Sequence, residues 1–512
     1  MKCMSIFVLS FFLFIQVNIP AQPKPGKSDS SESVIPKAVQ IVTHHSSVIN
    51  GSGIKYTATT GTFLLKNEND TAVALIGFTS YTKEGVTDYG KRPITFAYNG
   101  GPGSTSMWLH MGALGPKRVV LDDPNTIPAA PYKTEDNNYS IIDVTDLVMI
   151  DPVGTGLSKP VGNAKGKDFW GVNEDIKSIS DFIYQYIQEN NRLNSPKFLL
   201  GESYGTTRSA GVSDYLFDRM GITINGIVFV STVFDFQTLI FTPGNDLPYI
   251  LFLPTYAAVS WYHKTLPSQP HDLKSFIKDV EDFSQHEYAR ALFNGTSNDS
   301  AEINKVIDKL YEFTGISKSY WKDANLRVSE PQFTAELLHE KGKTVGRLDS
   351  RYLGSTKNLL AEESDYDPQS STISPAFIAT FLEYLHNDLN FPTDQPYHIN
   401  AYTNQDFHWN WNRQADGRIL PFQNASVSPD LEDIMLKNPY MKVLMLNGYF
   451  DLATPFFAIE YTMNHIGSNI PNLSERVSEK YFNAGHMMYI QKESLPVFKS
   501  EISDFILEMS KL

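Results

Sequence analysis

Short apolar runs that alternate with an amphipathic stretch constrain the fold of this chain more than any other feature of its sequence. The runs are DLVMIDPVGTG, KFLLGES and GIVFVST, and the stretch NEDIKSISDFIYQYIQENN lies between the first two. In that stretch Ile176, Ile179, Ile183 and Ile187 recur at helical spacing. Apolar strands joined by an amphipathic helix indicate a parallel sheet with both faces covered. The sequence therefore predicts an α/β fold with a mostly parallel central sheet and helices on both faces.

The strand pattern is interrupted once and then returns, which predicts an insertion. Residues 37–235 are expected to form the first part of the core, beginning with several strands between 53 and 98. Residues 236–425 lose the alternation and are expected to form a large inserted cap. The pattern returns at MKVLMLNGYFD, so residues 426–512 are predicted to complete the core. Helices are expected in the cap at about 272–293, 301–313 and 374–388.

The first residues are typical of an exported protein. Residues 1–21 carry one Lys and an apolar run of about 15 residues, which predicts a signal peptide rather than a membrane anchor. Residues 22–36 are expected to be a flexible linker. The single cysteine, Cys3, would leave with the signal peptide, so the mature chain would have no disulfide and no stable membrane insertion. The lack of disulfides favours a bacterial envelope protein, periplasmic or secreted. Seven sequons would then be incidental, at Asn50, Asn69, Asn138, Asn294, Asn298, Asn424 and Asn472.

The charge balance excludes one class of partner. The 512 residues carry a formal net charge of −14, with a pI near 5.3, and show no cluster of Lys and Arg. A surface that binds nucleic acid needs such a cluster, so no nucleic acid partner is expected. The sequence also lacks a Cys cluster and a His-Glu-x-x-His pattern, so no metal and no cofactor are expected.

The segment GESYG places Gly201, Ser203 and Gly205 at alternate positions where a strand-like run meets a helix-like one. This is the pattern of a nucleophile elbow, in which small residues let the chain turn sharply and lift the serine hydroxyl above the sheet. An ordinary glycine-rich turn is the alternative. A serine hydroxyl is a poor nucleophile by itself, so the catalytic interpretation requires a base, an acid and oxyanion donors elsewhere in the chain.

Two downstream residues complete a predicted catalytic triad. Asp451 follows the apolar run KVLMLNGYFD, and His486 lies on a turn of small residues 35 positions later. In hydrolases built on such sheets the chain order is nucleophile, acid, histidine. His486 would accept the Ser203 proton and return it to the leaving group, while Asp451 would orient the imidazole. A turn role for Asp451 and a structural role for His486 are the alternatives for each residue alone.

The loop FAYNGGPGSTS supplies candidate oxyanion donors. It follows a strand-like run, and its glycines leave backbone N–H groups uncovered. No lysine follows as in a P-loop, which argues against phosphate binding. The backbone N–H groups of Gly101 and Tyr204 are the predicted oxyanion hole.

These motifs together resemble the serine carboxypeptidase family of α/β-hydrolases. The resemblance implies the α/β-hydrolase fold and spans roughly residues 55–235 and 440–510, but leaves the insertion unmatched. It is carried, in the family's order, by NGGPGSTS at 99–106, LGP at 114–116, DPVGTGLS at 151–158, GESYG at 201–205, NGYFDLATP at 447–455 and GHMMY at 485–489.

The resemblance also implies a subsite for the substrate's free C-terminal carboxylate. Its residues would be Asn99 and Glu202, and Glu202 would have to stay protonated to donate a hydrogen bond, so activity should favour acidic pH. The family's second glutamate is replaced by Ala113, which puts this subsite in doubt. Two further family positions, usually Trp and Cys, hold Ala97 and Ser104.

The leading hypothesis is therefore a secreted serine-type carboxypeptidase acting on peptide or protein C-termini through an acyl-enzyme on Ser203. An esterase or acyltransferase with the same triad is the alternative, and a catalytically inactive envelope binding protein is a third. Three other features are expected to be structural. Arg208 is interpreted as a helix-surface residue, His110 as a packing residue, and HWNWNR at 408–413 as aromatic packing inside the insertion.

Overall fold

The computed structural model describes residues 35–121, 124, 126–413, 425–467 and 469–511. The predicted signal peptide, Cys3, nearly all of the predicted linker and the sequon at Asn424 lie outside the described residues. Within these ranges, none of the helices is both long and apolar enough to cross a bilayer.

Fourteen strands are present among the described residues. They are β1 (Gln40–Ile49), β2 (Ser52–Lys66), β3 (Ala72–Lys83), β4 (Ile94–Tyr98), β5 (Lys117–Val119), β6 (Thr134–Asp136), β7 (Asp146–Asp151), β8 (Lys159–Pro160), β9 (Lys197–Glu202), β10 (Gly226–Val230), β11 (Lys343–Val345), β12 (Leu353–Ser355), β13 (Lys442–Gly448) and β14 (Val477–Phe482).

The main sheet follows the order β1-β2-β3-β7-β4-β9-β10-β13-β14, with β8 paired to β3. In this sheet order, each strand from β7 through β4, β9, β10 and β13 to β14 pairs in parallel with the next. The strands β1, β2, β3 and β7 pair antiparallel. The carboxyl ends of β4, β9, β10, β13 and β14 therefore meet at one edge, where reactive groups gather in sheets of this kind. The mostly parallel sheet predicted from the sequence is confirmed.

The α-helices likewise number fourteen among the described residues. They are α1 (Met107–Leu109), α2 (Val172–Glu189), α3 (Tyr204–Met220), α4 (Leu247–His263), α5 (Leu273–Phe283), α6 (Ala289–Asn294), α7 (Ser300–Thr314), α8 (Lys318–Asp323), α9 (Glu330–Glu336), α10 (Pro368–Glu383), α11 (Ser428–Lys437), α12 (Phe456–Asn464), α13 (Leu473–Arg476) and α14 (Leu495–Met509). A π-helical turn follows each of α1, α5 and α10.

Helices cover both faces of the sheet because its central strands are apolar on both sides. In β9, Leu199 packs in the buried cluster formed with α2, α3 and α11. Its neighbours Phe198 and Leu200 point to the opposite face and pack with α1, α10 and α14. This alternation is the period-two geometry of a strand buried on both faces.

The chain leaves the core after β10 and returns before α11 at adjacent positions. Asp235 and Ser426 form an antiparallel bridge, the Phe236 N–H donates to the Ala425 carbonyl at 3.0 Å, and the Val427 N–H donates to Phe234 at 2.9 Å. The intervening helices α4, α5, α7 and α8 share a buried cluster of their own. The chain therefore leaves the core at Asp235 next to the place where it rejoins it at Ser426, and the sequence between them is called the insertion below.

The last part of this insertion is built into the core instead of lying over it. Backbone bridges join Asn400 to Ser104, His398 to Gly156 and Asn410 to Gly171. Helix α10 also packs in the same cluster as α1 and α14. The sequence offers no local signal for these pairings, because both partners of each bridge are far apart along the chain.

The structure extends two of the sequence expectations. β1 lies ahead of the expected strand region, and most of its residues are exposed or half-buried, so it shows no continuous apolar run. Helix α10 begins at Pro368, before the expected start at 374, because Asp367 caps it by accepting from the Ser370 N–H at 2.7 Å.

Candidate active site

Ser203 lies at a tight turn between β9 and α3. Its backbone has φ 59° and ψ −130°, a conformation that costs a non-glycine residue of the order of 1–3 kcal/mol. Its N–H donates to the Val230 carbonyl at 2.9 Å. A Cβ on Gly201 would lie 2.1 Å from the Gly205 carbonyl oxygen, and one on Gly205 would lie 2.9 Å from that of Tyr98. The glycines therefore permit the sharp turn that a nucleophile elbow requires.

Asp451 and His486 are brought together at the same sheet edge, beyond the ends of β13 and β14. Asp451 Oδ2 lies 2.8 Å from His486 Nδ1, and both side chains are buried. The carboxylate also accepts from the Ala453 N–H at 2.8 Å, the Thr454 N–H at 3.0 Å and the Thr454 hydroxyl at 2.8 Å. Burial acts to lower the pKa of His486, but the Asp451 carboxylate raises it above its ordinary value overall. The pair can thus accept a proton and stabilise the resulting charge.

Backbone hydrogen bonds on both sides hold the loop that carries His486. The His486 N–H donates to the Leu348 carbonyl at 2.7 Å, and the His486 carbonyl accepts from the Ser231 hydroxyl at 2.6 Å. The Gly485 N–H donates to Asp349 Oδ2 at 3.2 Å, and a Cβ on Gly485 would lie only 2.4 Å from that of Asp349. The inserted segment therefore helps to position the imidazole.

The glycine loop after β4 packs directly on the elbow. A Cβ on Gly100 would lie 2.5 Å from the Tyr204 nitrogen and 2.7 Å from the Glu202 carbonyl oxygen. Gly101 has φ 110°, which favours glycine, and its N–H makes no backbone hydrogen bond among the described residues. Tyr204 begins α3, so its N–H has no partner within the helix. Both predicted oxyanion donors belong to residues that line the same cavity as Ser203.

Asn99 and Glu202 form a buried pair beside the nucleophile. The Leu109 N–H donates to Asn99 Oδ1 at 2.9 Å, which leaves the Asn99 amide N–H to donate to Glu202 Oε1 at 3.0 Å. Burial raises the pKa of Glu202 to about 7. A carboxyl group with this pKa holds a proton at weakly acidic pH and can donate a hydrogen bond to an anion.

Tyr489 is a neighbour of Glu202 that the sequence reasoning missed. The phenol acts to lower the pKa of Glu202, and burial beside Glu202 raises that of the phenol. Glu202 Oε2 and the Tyr489 hydroxyl are both buried without a hydrogen-bond partner of standard geometry in the described part of the chain. A Cβ on Gly112 would lie 2.4 Å from the Tyr489 ring, so the ring fills the space beside the residue that precedes Ala113. Its one sequence signal is its place at the end of GHMMY.

The prediction that Arg208 lies on the helix surface is wrong. Its side chain is 0% exposed. Arg208 Nε donates to Asp175 Oδ2 at 2.7 Å, and Nη1 donates to the Asn99 carbonyl at 2.7 Å. The guanidinium lies between the rings of Tyr98 and Tyr204, 5.0 and 5.3 Å from their centroids. Arg208 therefore ties the glycine loop to α2 and α3, and it is buried because its charge is paired there.

We expect replacement of Arg208 by methionine to lower the free energy of unfolding by about 3–5 kcal/mol, because Asp175 would remain buried without its partner. Replacement of the exposed Arg219 on the same helix should change it by no more than about 0.5 kcal/mol. Denaturant unfolding of both variants checks this. Equal stabilities would contradict the importance of the buried pair.

Two features expected to be structural have packing roles. His110 is buried, lies 2.6 Å from the Tyr81 hydroxyl, and has its pKa lowered to about 3 by burial. The ring of Trp409 lies 5.2 Å from that of Tyr204, and the ring of Trp411 lies 4.8 Å from that of Phe236. The tryptophans thus pack against the residue after the nucleophile as well as within the insertion.

One cavity of about 320 Å³ collects the predicted site residues. It is lined by Asn99, Gly101, Glu202, Ser203, Tyr204 and His486, together with residues of the insertion. Asp451 lies behind His486 and is fully buried. The seven residues predicted for catalysis and binding therefore lie in or directly behind a single cavity.

A group of three carboxylates, Asp214, Asp218 and Asp433, lies within metal-binding distance of one another elsewhere in the fold. The Lys437 amine contacts Asp218 and Asp433, so a protein cation already occupies two of the three candidate ligands.

One segment of the chain matches a known protein family in sequence. Residues 79–223, which contain the glycine loop and Ser203, match the serine carboxypeptidase family. This match indicates a hydrolase of the serine carboxypeptidase kind. A search of curated proteins found no match.

The solved structures that this chain resembles are distant from it in sequence. A prohormone-processing carboxypeptidase of Saccharomyces cerevisiae is 17% identical with a TM-score of 0.52, covering 88% of this chain and 92% of its own. A proline iminopeptidase of Mycobacterium smegmatis is 14% identical with a TM-score of 0.37, covering 88% of this chain and 99% of its own. At such low identity the yeast structure supports the α/β-hydrolase fold and nothing finer.

Proposed function

We propose that this serine carboxypeptidase removes C-terminal residues from peptides or proteins through an acyl-enzyme on Ser203. The observation that carries the proposal is one cavity lined by Ser203, His486, Asn99 and Glu202, with Asp451 bonded behind the histidine. The cavity thus combines the groups needed for acyl transfer with a buried pair suited to a carboxylate.

In the proposed reaction the Ser203 oxygen attacks the carbonyl carbon of the last peptide bond as His486 Nε2 accepts the hydroxyl proton. Asp451 stabilises the imidazolium through the 2.8 Å contact at Nδ1. The Gly101 and Tyr204 N–H groups donate to the oxyanion. The C–N bond then breaks as His486 returns the proton to the leaving amine. A water molecule repeats these steps on the ester and releases the shortened peptide.

The free carboxylate of the substrate would be bound by Asn99 and protonated Glu202. This subsite is neutral when Glu202 carries its proton, and the substrate anion is repelled when Glu202 is ionised. In place of the second glutamate of the family, the phenol of Tyr489 is the neighbour of Glu202. The preference for acidic pH is therefore proposed to come from Glu202 alone.

We predict that kcat/KM for free-acid peptides falls about tenfold per pH unit above the Glu202 pKa of about 7. It should also fall at lower pH as His486, whose pKa is raised, becomes protonated. The Glu202→Gln variant should lose the fall on the alkaline side, since its amide donates a hydrogen bond at every pH. Its acidic limb should remain but move to lower pH, because the Glu202 carboxylate no longer raises the pKa of His486. The measurement is a pH series on one peptide and its amide. An alkaline fall of the same size on both substrates, unchanged in the variant, would contradict the role of Glu202.

Mass spectrometry of a peptide library incubated with the enzyme tests the activity itself. Ladders that shorten by single residues from the C-terminus, absent for C-terminally amidated peptides, are expected. Equal shortening of the amidated peptides would rule out recognition of the carboxylate.

An esterase or acyltransferase is the second candidate, and Ala113 favours it. Alanine at this position removes a carboxyl group from the part of the site that recognises the substrate carboxylate and leaves the acyl-transfer groups in place. A panel of peptides and simple esters separates the two functions. Faster turnover of neutral esters than of any free-acid peptide would favour this candidate.

Export to the periplasm or the medium is proposed from the sequence of residues 1–21. N-terminal sequencing of the protein recovered from the producing cells tests it. Cleavage after Ala21 is the expected result.

A further inference from the structure

Arg347 lies on the short connection between β11 and β12, and its backbone is fixed beside the triad. Its N–H donates to Asp367 Oδ2 at 2.7 Å, and its carbonyl accepts from the Leu452 N–H at 3.0 Å, one residue after Asp451. The next residue, Leu348, accepts the His486 N–H. Backbone hydrogen bonds therefore connect this position to the turn after Asp451 and to the loop that carries His486.

The positive charge of the Arg347 guanidinium is only weakly paired with a carboxylate of the protein. Its side chain is 54% exposed, and its nearest paired carboxylate, Glu330, is 3.8 Å away, beyond hydrogen-bond distance. Burial raises the pKa of Glu330 to about 7, so this partner is partly protonated near neutral pH. Among the residues lining the catalytic cavity in the described chain, Arg347 is the one Lys or Arg.

Arg347 also lies where the catalytic cavity meets a second one. The second cavity, of about 570 Å³, shares Leu239, Arg347 and Ala453 with the first. A substrate that fills the catalytic cavity and extends into the second one must pass the guanidinium.

We propose that Arg347 binds a carboxylate of the substrate, so that this enzyme favours substrates that carry a carboxylate at this place. The carboxylate is either an Asp or Glu side chain near the scissile bond or the C-terminal carboxylate, which Arg347 would then bind together with Asn99 and Glu202. A guanidinium binds a carboxylate through two parallel hydrogen bonds, which gives both affinity and orientation. The proposal rests on the proposed function only in taking the catalytic cavity around Ser203 as the place where the substrate binds.

The test compares kcat/KM on four peptides that differ only in a Glu or Gln next to the scissile bond and in a free or amidated C-terminus. The wild-type enzyme should prefer the carboxylate-bearing member of one pair by about 10- to 100-fold. Arg347→Met should abolish that preference, mainly through KM. A lost Glu preference identifies the side chain as the ligand, and a lost free-acid preference identifies the C-terminus.

A charge reversal and a matched control exclude a merely structural effect. Arg347→Glu should favour Lys over Glu at the same peptide position, which loss of stability cannot produce. Arg219→Met, an exposed arginine on α3, should leave every ratio unchanged. Because Arg347 also acts to lower the pKa of His486, rates are compared as substrate ratios at one pH. Unchanged ratios in both Arg347 variants would overturn the proposal.

Aryl esters of glutarate and butyrate separate this proposal from the peptidase activity. If the enzyme cleaves no peptide but prefers the glutarate ester, and Arg347→Met loses that preference, the peptidase proposal fails and the role of Arg347 stands. If peptides are cleaved with no effect of Arg347 on either ratio, the role of Arg347 fails and the peptidase proposal stands.

Discussion

Replacement of Ser203 by alanine is expected to lower kcat for both esters and peptides by about 10⁶-fold, the size of loss typical for removal of a triad nucleophile. Ser203 supplies the oxygen that forms the covalent intermediate, and the His486–Asp451 pair has no other hydroxyl at the tip of the elbow to activate. The rates are measured with an aryl ester and a free-acid peptide. Residual activity about 10³- to 10⁴-fold above the uncatalysed rate is expected, since the oxyanion donors and the binding groups remain.

The matched control is Ser374→Ala, because Ser374 lines the same cavity from α10 but has no place in the proposed chemistry. It should retain most of the wild-type activity. Thermal unfolding of both variants shows whether the fold is intact. A folded Ser203→Ala variant that retained substantial activity would exclude Ser203 as the nucleophile.

Replacement of Asp451 by asparagine is expected to lower kcat by about 10⁴-fold with little change in KM. Asp451 Oδ2 accepts a hydrogen bond from His486 Nδ1–H, while Oδ1 accepts hydrogen bonds from the N–H groups of Ala453 and Thr454. An asparagine amide that keeps the two N–H contacts turns its own N–H₂ toward the imidazole. The imidazole would then take the tautomer that cannot accept the Ser203 proton.

Steady-state kinetics on an aryl ester above the His486 pKa checks this prediction. The loss should shrink at high pH, where hydroxide can partly replace the general base. A variant with more than a tenth of the wild-type kcat at neutral pH would show that another group orients His486.

The central sheet was predictable because its determinants are local. The apolar runs ending at Asp151, Glu202 and Val230 became β7, β9 and β10, and the helical spacing of Ile176 to Ile187 became α2. Strand β1 was missed because most of its residues are exposed or half-buried, so it has the composition of a loop. The spacing of apolar residues reflects burial, so it indicates a strand or helix only where one face of that element is buried.

The convergence of Ser203 and Asp451 was also predictable, since each follows an apolar run and parallel strands bring their carboxyl ends together. His486 was predicted from the chain order and its turn of small residues. The residues that surround them were not. Arg208 sits among polar residues in the sequence, and only the approach of Asp175 and Asn99 makes it a buried residue.

Arg347, which lies in the insertion, could not be predicted from the sequence either. Arg347 is more than 100 residues from both Ser203 and Asp451 in the sequence, and its neighbours form no motif. Its position beside the triad depends on hydrogen bonds to Leu452 and Asp367, which tertiary folding alone creates. Local sequence patterns carry no information about such contacts.

The most direct measurement of the proposed function is rapid-quench mass spectrometry of the enzyme with a free-acid peptide, followed by mapping of the modified residue. The account predicts an adduct on Ser203 whose added mass equals that of the peptide shortened by its last residue, less one water. An adduct on another residue, an adduct lacking more than the last residue, or peptide turnover that persists in Ser203→Ala would contradict it.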